Sequence, residues 1–244
     1  MAGFRGLNDR LWWPALETGG STEPSLGIDR VPSCAVLART CSPMSVLLTV
    51  LAAAGLEVGW IELLDGPLGQ ISPIGLQRLS QETLVNIGPV VISLVFVLRC
   101  SPLLTLLCDS QRRAWSAARP MGWASQLRRC RRELWQGLLG TGTLFVYFMI
   151  TILATVVLFK AGGQPLLLIR RILMVLQARD ITLGLSKTWL LSGITTLICC
   201  HEGFASDADQ RPLALRLSDA LLFSTLATLG TALVLVLLIH PAHP

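Results

Sequence analysis

The sequence predicts an all-α integral membrane protein with about five transmembrane helices. Of its 244 residues, 52% are hydrophobic and only 14% are charged, and the mean hydropathy is +0.61. Soluble domains carry about 25% charged residues, so this chain has too few charges to cover a globule of its size. The chain also contains five long apolar segments, each close to the roughly 20 residues that one helix needs to cross a bilayer.

The first 40 residues are predicted to be an N-terminal cytoplasmic tail. They mix Gly, Pro, Ser and charges of both signs. Their apolar patch around Trp12 and Trp13 is too short for the core of a cleaved signal peptide, so we expect this segment to be retained. Residues 41–240 are predicted to form one membrane domain.

Five spans are expected within that domain. The first is interrupted near its end by Glu57, the second contains Arg99, and the fourth contains Lys187 near its start. Arg99 and Lys187 lie near span ends, where long side chains extend to the headgroups. The third and fifth spans contain no charge. The predicted spans cover residues of about 43–64, 83–108, 134–159, 181–200 and 220–239.

The distribution of charge predicts the orientation. The net charge is +5, and seven of the arginines lie between Arg112 and Arg132. If the N-terminus is cytoplasmic, the inner connections hold thirteen Lys and Arg residues and the outer ones hold five. The positive-inside rule therefore predicts a cytoplasmic N-terminus. Because the basic segment is flanked by apolar spans, it is interpreted as a cytoplasmic loop, and no nucleic-acid partner is expected.

Two further helices are predicted outside the spans. In the basic loop, Trp123, Leu127, Cys130 and Leu134 recur at spacings of four, three and four residues, with arginines on the other face. This pattern predicts a cytoplasmic amphipathic helix, which either lies on anionic headgroups or docks into a partner as a coupling helix. Residues 164–177 are apolar but interrupted by Arg170 and Arg171, which predicts a periplasmic interfacial helix.

No catalytic or cofactor motif is present. The sequence has no GxxxxGK[ST], HExxH or GxSxG motif, so we expect no catalytic residue and no nucleotide bound through that first motif. Seven cysteines are present without CxxC spacing, which favours neither a disulfide framework nor a zinc site. Cys199, Cys200, His201 and Glu202 are adjacent, but successive helical residues point in different directions. No metal site is therefore predicted.

Small residues recur at every fourth position in the last two spans. The two stripes are Thr188, Ser192, Thr196 and Cys200 in the fourth span, and Ala220, Ser224, Thr228 and Ala232 in the fifth. Such stripes allow helix backbones to approach closely in lipid. We expect Ser192, Thr196, Ser224 and Thr228 to mediate packing, either between these two helices or across a dimer. The alternative is chance composition in helices rich in small residues.

The order of several short motifs resembles the MlaE-type (YrbE-like) permease family. Asn86-Ile-Gly88-Pro89-Val90, followed by Leu98-Arg99, is similar to the family's Glu-Leu-Gly-Pro-Val and to the Gly-Arg that ends its second span. The run from Asp180 to Thr188 is similar to the family's motif opening the fourth span. Cys200-His-Glu-Gly203-Phe204 resembles its Cys-x-x-Gly-Tyr. The chain departs from the family at Val85-Asn86, where the family has Arg-Glu, at Ser110 to Arg113, and at 205–212.

This resemblance implies a permease subunit of an ABC-type phospholipid transporter in the bacterial inner membrane. It implies a homodimer, a cytoplasmic ABC ATPase that hydrolyses ATP, and a periplasmic MCE-domain lipid-binding protein. The lipid path would include Asn86, Gly88, Pro89 and Arg99. Coupling to the ATPase would involve Trp115, Gly122, Trp123 and Leu127. This chain itself would bind no cofactor.

Two other functions remain open from the sequence. The first is a divergent scaffold or regulatory subunit that kept the helical bundle and lost transport. The second is a small membrane enzyme that uses Cys199, Cys200 and His201. Association with an ATPase distinguishes the transporter from both.

Overall fold

The computed structural model describes residues 34–65, 79–115, 123–160, 178–204 and 212–239. Within these ranges, the structure describes every side chain except those at 64–65, 113–115, 123–129, 160 and 238–239. The described residues belong to one structural unit. The predicted interfacial helix at 164–177 and the residues before 34 lie outside the described part of the chain.

Helices are the only regular elements in the described residues. A short helix α1 (Ala35–Thr40) precedes α2 (Pro43–Asp65), and a π-helical turn (Thr83–Ile87) leads directly into α3 (Gly88–Trp115). The remaining helices are α4 (Trp123–Lys160), α5 (Ala178–Phe204) and α6 (Leu213–Ile239). Five of the helices are long and apolar enough to cross a membrane, which confirms the predicted all-α membrane fold.

The predicted amphipathic helix and the third span form one continuous helix. Helix α4 contains 38 residues, and no Gly or Pro occurs between Trp123 and Gly137 to interrupt it. Its burial alternates as the sequence pattern predicts, because Cys130 and Glu133 are buried while Arg131 and Arg132 are exposed. The arginine-containing residues before the third span therefore continue the same helix as the apolar residues of the span.

Helices α3 and α5 form the centre of the bundle. Half of the apolar window of each is buried within the protein, compared with 17% for α6. The largest core cluster joins α2, α3 and α4 and includes Ile92, Phe145 and Phe148. Helix α6 packs on α5 and α3 and leaves a row of exposed apolar side chains, including Leu222, Leu226 and Leu233. This row suits contact with lipid tails.

The last residues of the predicted tail pack onto the bundle as α1. Thr40 is fully covered, and its hydroxyl lies 3.2 Å from Cys100 Sγ on α3. A Cβ added at Gly140 on α4 would lie 2.7 Å from the Thr40 side chain. Thr40, Cys100 and Gly140 therefore lie at one level of the bundle. A helix of six residues is too short for hydropathy to detect.

Candidate functional site

Polar side chains from the residues just before α3 meet a side chain of α5 near the end where these helices begin. Lys187 is 7% exposed, and its ammonium donates a hydrogen bond of 2.6 Å to Asn86 Oδ1. The Asn86 amide nitrogen in turn donates to Glu82 Oε2. One amide therefore connects a buried cation to a carboxylate. We call Glu82, Asn86 and Lys187 the Lys187 network.

A π-helical turn carries Asn86. The Gly88 N–H donates to the carbonyl of Thr83, five residues earlier. Pro89 has no N–H and cannot form the ordinary helical bond to Val85, so the local hydrogen-bond pattern changes where the two residues meet. Such turns inside helices occur frequently at functional sites. The Gly-Pro pair thus produces the irregular segment that holds Asn86 against Lys187.

Further polar contacts lie around the Lys187 network. Gln81 donates to Asp180 Oδ2 at 2.8 Å, which joins α5 to the residues just before the π turn. Ser80 donates to Glu57 Oε1 at 2.5 Å, and Glu57 on α2 is fully buried. Ionisable residues within membrane spans are rare and mark functional sites by default. This end of the bundle is therefore the candidate site.

Two glycines of the sequence motifs set the packing beside this site. A Cβ at Gly88 would lie 2.8 Å from the Phe148 ring, and one at Gly184 would lie 2.8 Å from the Phe145 ring. The Gly184 position also faces the Leu84 carbonyl at 3.1 Å. These glycines therefore allow α3 and α5 to pack against the aromatic rings of α4.

The structure separates Arg99 from the other residues assigned to the lipid path. Asn86, Gly88 and Pro89 lie together at the π turn, whereas Arg99 lies thirteen residues farther along α3 than Asn86, or about 20 Å. Its guanidinium approaches Ser42 Oγ at 3.5 Å, beside the start of α2. The four residues therefore do not form one cluster within this chain.

Lys187 differs from its expected position. The sequence suggested a side chain extending to the headgroups, but the ammonium turns inward to Asn86. Hydropathy cannot anticipate this because the partner lies on another helix, 101 positions away in sequence. Glu57 was likewise interpreted as an interruption of the first span, although its burial marks it as part of the interior.

The predicted coupling residues flank the connection between α3 and α4. Trp115 ends α3, Trp123 begins α4, and Leu127 lies within the first turns of α4. Gly122 lies outside the described residues, as do the side chains of the other three. We refer to this end of the bundle, which carries the connection rich in arginine, as the arginine-rich end.

The small-residue stripes are buried, but they face two different helices. Ser224 and Thr228 of α6 are fully buried, and the Thr228 hydroxyl lies 3.2 Å from that of Thr195 on α5. Ser192 of α5 instead accepts a hydrogen bond of 3.1 Å from Thr141 on α4. Thr196 is also turned to α4, since a Cβ at Gly137 would lie 3.2 Å from its hydroxyl.

A buried ion pair joins the helices at the arginine-rich end. Arg216 at the start of α6 donates to Asp109 Oδ1 on α3 at 2.9 Å. It also donates to the carbonyls of Glu202 at 2.9 Å and Gly203 at 3.2 Å, so it caps the carboxyl end of α5. Arg216 is one of the thirteen inner cations in the charge count, where it belongs to the connection between the fourth and fifth spans. Nothing local in the sequence pairs it with Asp109.

Cys199, Cys200 and His201 do not converge on one site within the described residues. Cys199 Sγ lies 3.3 Å from Ser101 Oγ, Cys200 Sγ lies 3.4 Å from Cys108 Sγ, and His201 is exposed. This divergence follows the expected geometry of successive residues on a helix.

Comparison with known proteins finds a similarity over part of the chain. No curated protein matches the sequence. Residues 137–238 match the family model described as Permease MlaE. The matched segment includes most of α4, all of α5 and nearly all of α6, and with them Gly184, Lys187, Cys200 and Gly203. Residues 137–238 are therefore similar to the MlaE permease family, in agreement with the resemblance seen in the sequence motifs.

Proposed function

We propose that this chain forms the lipid path of an ABC-type phospholipid transporter in a bacterial inner membrane, working as a homodimer. The match of residues 137–238 to the MlaE permease is the observation that carries the proposal. It covers the segment that supplies Lys187 and the packing surfaces of α5 and α6. The five helices that can span a membrane support the same function, because the permease subunit of such a complex lies within the membrane.

An apolar groove supports a lipid as the transported molecule. The groove lies between α4 and α5 and has a volume of about 570 Å³, within the range of roughly 300 to 1,000 Å³ that is common for small-molecule sites. Its lining includes Val146, Met149, Ile150, Leu185 and Trp189. Such a surface is suited to an acyl chain, and the buried Lys187 ammonium lies at a similar level of α5.

The length of α4 supports coupling to a cytoplasmic ATPase. A helix of 38 residues is about 57 Å long, whereas the hydrocarbon layer is about 30 Å thick. Because the third span ends near Phe159, the excess length lies at the arginine-rich end, which the charge count predicts to be cytoplasmic. A rigid helix that continues from the ATPase face into the bundle transmits a displacement directly. ATP is bound and hydrolysed by the partner, and this chain holds no cofactor.

A third partner completes the proposed complex. An MCE-domain lipid-binding protein on the periplasmic side receives or delivers the lipid at the opposite end of the bundle. The N-terminus is cytoplasmic in this arrangement.

Co-purification tests the proposed coupling. The tagged chain, isolated from its native membrane in mild detergent, is expected to retain an ABC ATPase in a complex containing two copies of each chain. Trp123→Ala is expected to release the ATPase while membrane insertion stays intact, because a buried Trp anchor contributes on the order of 2 kcal/mol or more to an interface. Native mass spectrometry gives the composition of each complex.

A double variant on the other face of the same helix is the matched control. Arg131 and Arg132 are exposed, and their replacement by Gln is expected to leave the ATPase bound. Full retention of the ATPase by Trp123→Ala, or a wild-type chain that never binds one, would favour the scaffold function instead.

A further inference from the structure

Three cysteines from three helices meet in the interior at the arginine-rich end. They are Cys108 on α3, Cys130 on α4 and Cys200 on α5, and we call them the thiol cluster. All three are buried, and their sulfur atoms lie within 4.8 Å of one another. The Cys108 and Cys200 sulfur atoms are 3.4 Å apart. Sequence spacing does not reveal the group, because each cysteine belongs to a different helix.

The sulfur geometry fits a metal ion. A zinc–sulfur bond is about 2.3 Å long, so neighbouring sulfur ligands of a tetrahedral ion lie about 3.8 Å apart. The Cys108 and Cys200 sulfur atoms, 3.4 Å apart, are slightly closer than this, and no pair in the thiol cluster is more than 4.8 Å apart. Small side-chain rotations therefore suffice to place three sulfur atoms around one ion. Thiolates select soft and borderline ions over hard ions such as Mg²⁺ and Ca²⁺.

A carboxylate lies next to the thiol cluster along α4. Glu133 follows Cys130 by three residues, so the two side chains share a face of the helix. Glu133 is 7% exposed, and its Oε1 accepts a hydrogen bond of 3.1 Å from Gln111. Its Oε2 atom is buried and has no hydrogen-bond partner among the described residues. A buried carboxylate oxygen without a partner is costly, and a cation bound in the adjacent thiol cluster would offset part of this cost electrostatically.

The position of the thiol cluster allows an ion to arrive from the aqueous side. Arg99 contacts Ser42, just before the first residue of the first span. Cys108 lies nine residues beyond Arg99 on α3, which is about 13 Å farther toward the arginine-rich end. Cys130 lies ten residues before Gly140 on α4, about 15 Å in the same direction. The thiol cluster therefore lies toward the polar end of the bundle, away from the middle of the spans.

We propose that Cys108, Cys130 and Cys200 bind one thiophilic divalent ion of the zinc class. Each thiol releases its proton to solvent as its metal–sulfur bond forms. The bound ion joins α3, α4 and α5 at the end where the ATPase is expected to act. The site is independent of the transported molecule, so it stands even if the chain moves no lipid.

Cadmium provides a direct optical probe, because cadmium–thiolate bonds absorb in the ultraviolet by charge transfer. The exposed Cys34 and the partly buried Cys41 are first replaced by Ser to remove accessible thiols. The reduced full-length protein, titrated with Cd²⁺ in detergent, is expected to saturate at one ion per chain and to unfold at a higher temperature when loaded. Zn²⁺ is expected to displace the cadmium signal. A titration that develops no charge-transfer band would overturn the proposal.

Neighbouring cysteines supply a matched pair of variants. Cys200→Ser is expected to lose the cadmium band, as are Cys108→Ser and Cys130→Ser. Cys199→Ser changes the adjacent residue, which is equally buried but faces Ser101, and it is expected to keep the band. Glu133→Gln is expected to keep the band with weaker affinity. Retention of the full band by Cys200→Ser, or its loss in Cys199→Ser with the protein still monodisperse, would contradict the assignment.

Discussion

The Asn86 side chain is the residue on which the candidate site depends. It connects Lys187 to Glu82, and each of its polar groups has a partner of the correct kind. The MlaE family has Arg-Glu where this chain has Val85-Asn86, so an amide replaces a carboxylate here. The structure retains a carboxylate one helical turn earlier, at Glu82. In this chain the carboxylate contacts Lys187 through the Asn86 amide.

Replacing Asn86 tests this connection. Asn86→Leu removes the acceptor and leaves the Lys187 ammonium buried without that partner, which is expected to lower stability by roughly 1 to 3 kcal/mol. Asn86→Asp keeps the acceptor for Lys187 but replaces the amide donor to Glu82 by a second carboxylate, so a smaller loss than in Asn86→Leu is expected. Thermal unfolding in detergent measures both variants. Thr182→Val is the control, because this exposed side chain bonds only within α5 among the described contacts. Wild-type stability in Asn86→Leu would show that the connection is dispensable.

At Gly203, α5 packs closely against α3. A Cβ at this position would lie 2.4 Å from Cys108 Cβ and 3.0 Å from the Thr105 carbonyl oxygen. Backbone and Cβ atoms cannot rotate away, so Gly203→Ala is expected to separate the helices and to destabilise the protein by about 1 to 3 kcal/mol. The midpoint of thermal unfolding measures the effect.

Gly230 on α6 provides the control for Gly203. A Cβ there meets nothing within 4 Å, and Ala is intrinsically about 1 kcal/mol more favourable than Gly in a helix. Gly230→Ala is therefore expected to leave stability unchanged or to raise it. Equal effects of the two substitutions would mean that close approach at Gly203 has no energetic role.

Helix α6 associates with α5 through small polar residues. Thr228 is fully buried and contacts Thr195, whereas one whole side of α6 is exposed and apolar. Helices in lipid gain little from hydrophobic burial, so packing and interhelical hydrogen bonds drive their association. The Thr228 face is thus expected to hold α6 against the bundle.

Thr228→Leu tests this contact by placing a branched side chain between the two backbones. It is expected to loosen α6 and lower the temperature at which the protein unfolds in detergent. Thr143→Leu makes the same chemical change at an exposed position of α4 and is expected to have little effect. If Thr228→Leu unfolds at the wild-type temperature, the small residues of α6 recur by chance and do not hold the helix in place.

The sequence predicted the helices better than their contacts. Long apolar runs locate the spans because each helix satisfies its own backbone hydrogen bonds, and lipid imposes a length on it. On α6, three of the four stripe residues, Ala220, Ser224 and Thr228, are buried. The partner of Ser192 was not predictable, since the same stripe on α5 serves α4 through Thr141. A periodic pattern gives the face of a helix that is buried, but it does not say which neighbour covers that face.

The candidate site was predictable only in part for the same reason. Asn86, Gly88 and Pro89 were selected from a short motif, and they do lie together at the π turn. Glu57 and Lys187 were interpreted as span-end charges, and the thiol cluster was invisible because its members are separated by 22 and 70 positions. These groupings arise from tertiary packing of distant helices, which a single sequence does not encode locally.

The orientation of the whole bundle in the membrane is predicted from the distribution of Lys and Arg. Cysteine-accessibility labelling tests this orientation in a chain whose native cysteines have been replaced. A cysteine introduced at Ser125, in the arginine-rich segment, is expected to react with an impermeant maleimide only after the membrane is opened. A cysteine at Ser72, between the first two spans, is expected to react in intact cells that have lost their outer membrane. The reverse result would invert the topology and remove the basis for ATPase coupling at the arginine-rich end.

The central claim is that this five-span bundle conducts phospholipid when a partner ATPase drives it. The most direct measurement is the movement of a labelled phospholipid into or out of vesicles that contain the purified complex, with and without ATP. The rate is expected to rise with ATP for the wild-type complex. It is expected to stay at the background value when the ATPase is catalytically inactive. A complex that hydrolyses ATP at a normal rate and moves no phospholipid above background would contradict the account.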